Sequence, residues 1–108
     1  MLRPTALAEY ERCFDAATIH ASCEDYRAGA TIDLAHDDRD ADARIACPVL
    51  VLWSESGLGA HYPVLDLWRE QAVDVCGHAI DCGHFLAEER PAEVAAALRA
   101  FLAGSGGP

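Results

Sequence analysis

Apolar residues recur every three or four positions over residues 5–20, at Leu7, Tyr10, Phe14 and Ala17, with Pro4 just ahead, where a proline fits the first turn of a helix. That spacing predicts an amphipathic helix. A second helical pattern runs from Ser22 to His36 through Tyr26, Ala30, Ile32 and Leu34. Ser22 is its expected N-cap, Asp25 stands where a capping-box acid would be, and Gly29 is its weak point. Residues 37–44 carry too much charge to be buried and show no period, so they read as a linker.

Beyond the linker the period changes. Cys47 to Trp53 is a continuous apolar run with β-branched residues and a proline at its edge, the pattern of a strand buried on both faces of a parallel sheet. Residues 54–60 form a Gly- and Ser-rich turn. Pro63, Leu65, Leu67, Trp68 and Ala72 mark a helix, and Asp74 to Asp81 is a second strand. Strand, helix and strand make a βαβ unit. From Pro91 a last helix carries Val94, Leu98, Phe101 and Leu102 as one stripe and stops at Gly104. The fold class is therefore α/β, with a helical part over residues 1–40, an α/β part over 41–103 and a flexible tail over 104–108. Two parallel strands need further strands and helices to cover their faces and edges. A larger parent protein, or a partner that completes the sheet, is the expectation.

Composition narrows the function classes. Eighteen acidic residues face eight arginines and no lysine, a net charge of −10, so the broad basic surface that phosphate backbones require is absent and no nucleic acid is expected as a partner. No apolar run approaches the ~18 residues of a membrane span. The Asp33, Asp37, Asp38, Asp40 and Asp42 group lacks the pattern of a calcium loop and reads as solvated. Five cysteines, Cys13, Cys23, Cys47, Cys76 and Cys82, form no CxxC pair and follow no export signal, which points to reduced thiols in a cytoplasmic protein. His78, Cys82 and His84 lack a fourth ligand for zinc. Neither metal nor cofactor is expected.

The chemistry concentrates in Val75-Cys76-Gly77-His78-Ala79-Ile80-Asp81-Cys82-Gly83-His84-Phe85, followed by Leu86-Ala87-Glu88-Glu89-Arg90-Pro91. His84 falls where a parallel strand gives way to a helix, the end at which open α/β sheets place their ligand crevice, and Gly83 is expected to let the backbone turn sharply there. A histidine so placed can act as a base. His20, His36, His61 and His78 lack such a setting and are expected at the surface.

This stretch resembles the last strand, histidine loop and final helix of α/β-hydrolases in the epoxide hydrolase and dehalogenase branch. Residues 23–36, beginning Cys23-Glu24-Asp25-Tyr26-Arg27-Ala28-Gly29, are similar to a cap segment of fluoroacetate and haloacetate dehalogenases. In many epoxide hydrolases and esterases a Gly-x-x-Asp turn after the preceding strand supplies the acid of a triad. Here the turn reads Ser54-Glu55-Ser56-Gly57, with glycine in the aspartate's place, as in haloacetate dehalogenases, whose acid lies further upstream. Glu55 is the one local substitute. The resemblance implies the C-terminal portion of an α/β-hydrolase fold: the end of a helical cap over 1–40, then the last two parallel strands and their flanking helices. It further implies that His84 is the base that hydrolyses an aspartyl ester and that Tyr26 binds the departing halide; a tyrosine that only packs between cap and core is the other role for Tyr26. No Gly-x-Asp-x-Gly or Gly-x-Ser-x-Gly elbow is present, so the nucleophile is missing and the chain alone is expected to be inactive. A halogenated carboxylic acid is the implied substrate of the complete enzyme, with epoxide hydrolysis, ester hydrolysis or a non-catalytic paralogue as alternatives. Homodimers are common among such enzymes.

Overall fold

The computed structural model describes residues 3–104. The chain divides into two compact units, Met1–Ala43 and Arg44–Pro108.

The first unit is helical, but its breaks differ from those the apolar spacing suggests. Helix α1 spans Pro4–Cys13, α2 spans Ala16–Gly29 and α3 spans Ile32–Arg39. The expected 5–20 helix is interrupted at Phe14 and Asp15. Asp15 is the N-cap of α2, its side chain accepting the Thr18 N–H at 2.8 Å. That hydrogen bond favours the ionised form and holds the Asp15 carboxyl below its usual range. Ser22, expected as a cap, lies inside α2 and returns its hydroxyl to the Thr18 carbonyl at 2.9 Å. The N-cap thus lies seven residues before the one expected from the apolar spacing. Gly29 is the last residue of α2, which is where its low helix propensity puts the break.

The second unit holds strand β1 (Val49–Ser54), helix α4 (Val64–Gln71), strand β2 (Val75–Ile80), the short helix α5 (Leu86–Glu89) and helix α6 (Pro91–Leu102). A 3-10 turn at Leu58–Ala60 follows β1. Among the described residues the sheet has two strands, β1 and β2, parallel, with Val51 opposite Gly77 and Ser54 opposite Ile80. Pairing begins earlier: Ile45 bridges Ala72, donating to the Gln71 carbonyl and accepting from Val73 N–H. Arg44 anchors this entry by donating its guanidinium to the carbonyls of Ala72, at 2.6 Å, and Arg69. These carbonyls lie at the end of α4, where a helix leaves acceptors unpaired and favours a cation.

Gly77 sits mid-strand with φ 157°, and a Cβ there would come within 1.9 Å of the Val51 carbonyl oxygen. The two strands meet closely only because this residue has no side chain. Among the described residues Val51, Ala72, Ile80 and Cys82 are the buried apolar ones, with Ser54 the buried polar one. The α6 stripe is corrected in part. Val94 and Phe101 are half-buried, but Leu98 and Leu102 remain exposed. Gly104, at φ 73°, closes α6 by taking the left-handed conformation that follows many helices. Residues 105–108 of the expected tail lie outside the described residues. Among the described residues no helix is long and apolar enough to cross a membrane.

Candidate functional site

The sheet delivers two loops to the same end. β1 runs out into the Ser54–Gly57 turn, and β2, parallel to it, runs out into residues 81–85. Because the strands are in register, Glu55 N–H reaches the Ile80 carbonyl at 3.0 Å and the two loops begin side by side. Two hydroxyls then tie them together. Ser54 donates to the Cys82 carbonyl at 2.6 Å and Ser56 donates to the same oxygen at 2.9 Å. Ser54 is buried and also accepts the Gly57 N–H at 3.1 Å, so its oxygen is satisfied on both sides. Gly57 thus folds back over Ser54; a Cβ at this position would sit 3.3 Å from the serine Cβ and Oγ.

The histidine loop is held from its other side by α5 and the start of α6. Glu89 accepts the Gly83 N–H on one carboxylate oxygen at 2.9 Å and the Phe85 N–H on the other at 3.3 Å. Arg90 donates its Nε to the Asp81 carbonyl at 2.9 Å. The Gly83 amide is the main reason that the Glu89 carboxyl lies below its usual range; the Phe85 amide and Arg90 act in the same direction, against partial burial. At Cys82 burial is the largest influence and pushes the thiol up, with the Glu89 charge adding to it. Cys82 is therefore a packed, weakly nucleophilic thiol.

His84 stands at the crest of this loop, exposed, with its ring edge-on to Phe85 at a centroid distance of 5.0 Å. No hydrogen bond or ion pair joins it to Glu55 among the described residues, so the local substitute for an acid is not brought to the imidazole. Gly83 does not adopt a left-handed conformation: among the described residues only Gly77 and Gly104 have positive φ. Its value is room, since a Cβ would come 2.8 Å from a Glu89 carboxylate oxygen. Tyr26 lies on α2 of the first unit, 83% exposed. His20, His36, His61 and His78 are exposed. No group of three metal-ligating side chains comes together among the described residues. A cleft of about 430 Å³ opens in the second unit, walled by Leu50, Leu65, Val75, Ala97 and Phe101. It lies along the opening residues of β2, away from the histidine loop, and Arg69, Cys76 and His78 line it beside the apolar walls.

Sequence reasoning singled out His84 and missed what holds its loop. Ser54, Ser56, Glu89 and Arg90 are common surface residue types, and their partners are carbonyls and amides that carry no sequence signature. The one available signal was the pair of serines directly after a buried strand, where a hydroxyl has to find an acceptor.

No protein-family model matches the chain. Over 101 residues it is 36% identical to a fluoroacetate dehalogenase of a Burkholderia species, in a match that takes in 92% of this chain and 33% of the relative. A solved structure assigned as an α/β-hydrolase, from Nostoc sp PCC 7120, is similar with a TM-score of 0.87 and 59% identity, over 93% of this chain and 35% of that one. One assigned as an acyltransferase, from Salmonella enterica, has a TM-score of 0.87 and 43% identity over 95% of this chain and 35% of its own. One assigned as an epoxide hydrolase, from Pseudomonas aeruginosa, has a TM-score of 0.80 and 44% identity over 94% and 35%. The chain has the fold of the C-terminal portion of an α/β-hydrolase and spans about a third of the length of the relatives it matches. Three reaction names on one fold mean that the fold by itself does not choose the chemistry.

Proposed function

We propose that this chain supplies the catalytic base of a haloacetate dehalogenase-type hydrolase, in concert with a nucleophile-bearing portion of the same fold. The observation that carries the reading is His84: exposed at the carboxyl end of β2, on a loop tied down from both sides, with its ring in contact only with Phe85 among the described residues. That is where this fold places its crevice, and a base there needs a fixed backbone and a free imidazole.

In the proposed reaction an aspartate carboxylate oxygen attacks the carbon that carries the halogen. The carbon–halogen bond breaks, halide leaves with its electron pair, and an aspartyl ester forms. Tyr26 donates its hydroxyl to the departing halide. His84 then takes a proton from water, the resulting hydroxide attacks the ester carbonyl, and glycolate departs as the aspartate is restored. The acid that orients His84 lies outside Ser54–Gly57, consistent with glycine at position 57. The substrate is a small halogenated carboxylic acid, and the protein works in the cytoplasm with its thiols reduced.

Similarity to the structure assigned as an epoxide hydrolase favours one alternative, in which Tyr26 polarises an epoxide and His84 serves the same second step. Joining the chain in frame to the nucleophile-bearing part of the fluoroacetate dehalogenase relative and assaying both products separates the two. Halide release from fluoroacetate is the expected result; diol formation from an epoxide without halide release would replace the dehalogenase reading.

A further inference from the structure

The two amides that flank His84 point to the same side chain. Gly83 N–H and Phe85 N–H donate to separate oxygens of Glu89, so one carboxylate spans the loop from the residue before the histidine to the residue after it. We propose that Glu89 is the positioning residue of the histidine loop, a two-oxygen clamp that fixes the backbone on either side of His84 and thereby the place of the imidazole.

Three features of the chain favour a carboxylate in this role. Both partners are donors, and only an ionised carboxylate offers two acceptor oxygens; an amide would turn an NH2 group toward one of the N–H groups. Charge-assisted hydrogen bonds of this type are stronger than neutral ones. Gly83 leaves the room that the carboxylate occupies, since a Cβ would come 2.8 Å from its nearer oxygen. The far ends of the loop are fixed independently, by Arg90 on the Asp81 carbonyl and by Ser54 and Ser56 on that of Cys82. Glu89 is the side chain that accepts from the amides on both sides of the histidine.

The carboxyl lies below its usual range, so the sign of the pH dependence is fixed. The clamp is complete above the ordinary glutamate range and is lost as pH falls through the lowered value. Arg90, Asp81 and Glu93 are charged groups that act on this loop, and Cys82, its thiol pushed up, is neutral throughout that window.

The clamp itself is testable on the chain as it stands, and its catalytic consequence rests on the reading of His84 as a base. In NMR spectra the Gly83 and Phe85 amide protons are expected to titrate together with the Glu89 carboxyl, at a midpoint below the ordinary glutamate range. Separate midpoints, or no transition at either amide, would overturn the clamp without any variant being made. In Glu89→Gln the same two amides are expected to exchange with solvent at least about tenfold faster. The ring-current displacement of the His84 resonances by Phe85 should shrink, while the strand amides of Val51 and Ile80 keep their protection. Unchanged exchange at both amides and an unchanged His84 displacement in a folded Glu89→Gln chain would also overturn it. His84→Ala should leave the two amides protected, so failure of the base and failure of the clamp are read separately.

Discussion

A buried hydroxyl and a buried thiol on neighbouring residues of this site have opposite fates. Ser54 is satisfied twice, by the Cys82 carbonyl and the Gly57 amide, and truncating it takes one of two partners from each of them. Ser54→Ala is expected to lower stability by about 1–2 kcal/mol, part of the loss being recovered because Ser56 still reaches the same carbonyl. A denaturant midpoint at unchanged slope measures it. Cys82, by contrast, is held as a neutral thiol by its burial. Since the thiolate is the reactive form, alkylation at neutral pH should modify the exposed Cys13, Cys23 and Cys47 first and Cys82 last, an order that peptide mass mapping of a time course reports. Rapid labelling at Cys82 would mean that the turn and the histidine loop are not packed as described.

Among the elements, the strands were the most legible and the first helices the least. A continuous apolar run of valine and leucine reads as a parallel strand, and β1 follows it, although only Val51 and Ser54 of the strand are buried here and its other residues are half-buried. The 5–20 and 22–36 patterns were compatible with several break points, because exposed helices leave apolar spacing under weak selection by packing; local capping at Asp15 decided the matter. The mid-strand glycine makes the sheet's own test. Gly77→Ala must push the backbone of Val51 away, and a loss of roughly 1–3 kcal/mol is expected, as for other overpacked sites. Chemical denaturation followed by far-ultraviolet circular dichroism measures it; an unchanged midpoint would place β1 and β2 further apart than found here. Position 84 was legible because a histidine between a strand and a helix is informative by location. Its supports were not, since hydrogen bonds across 26 or 28 residues depend on which loops the register brings together.

At the scale of the whole molecule, the proposed function gives one sheet end of the chain one half of a hydrolytic cycle. The loop that bears His84 is secured by serines from the turn after β1, by Glu89 and by Arg90, and in the proposed reaction the orienting acid comes from another part of the fold. Helices α1 to α3 present Tyr26 in the other unit. Sequence similarity extends over both units, to relatives about three times as long. The proposed division of labour follows: displacement of halide by a nucleophile elsewhere in the fold, and hydrolysis of the resulting ester by His84. These steps separate cleanly when the base alone is removed, because ester formation needs no proton from His84. The most direct measurement is the intact mass of the His84→Ala variant of the in-frame fusion after incubation with fluoroacetate. The account predicts one carboxymethyl group added to the protein, with about one equivalent of fluoride released and no further turnover; steady release of fluoride by an unmodified variant would contradict it.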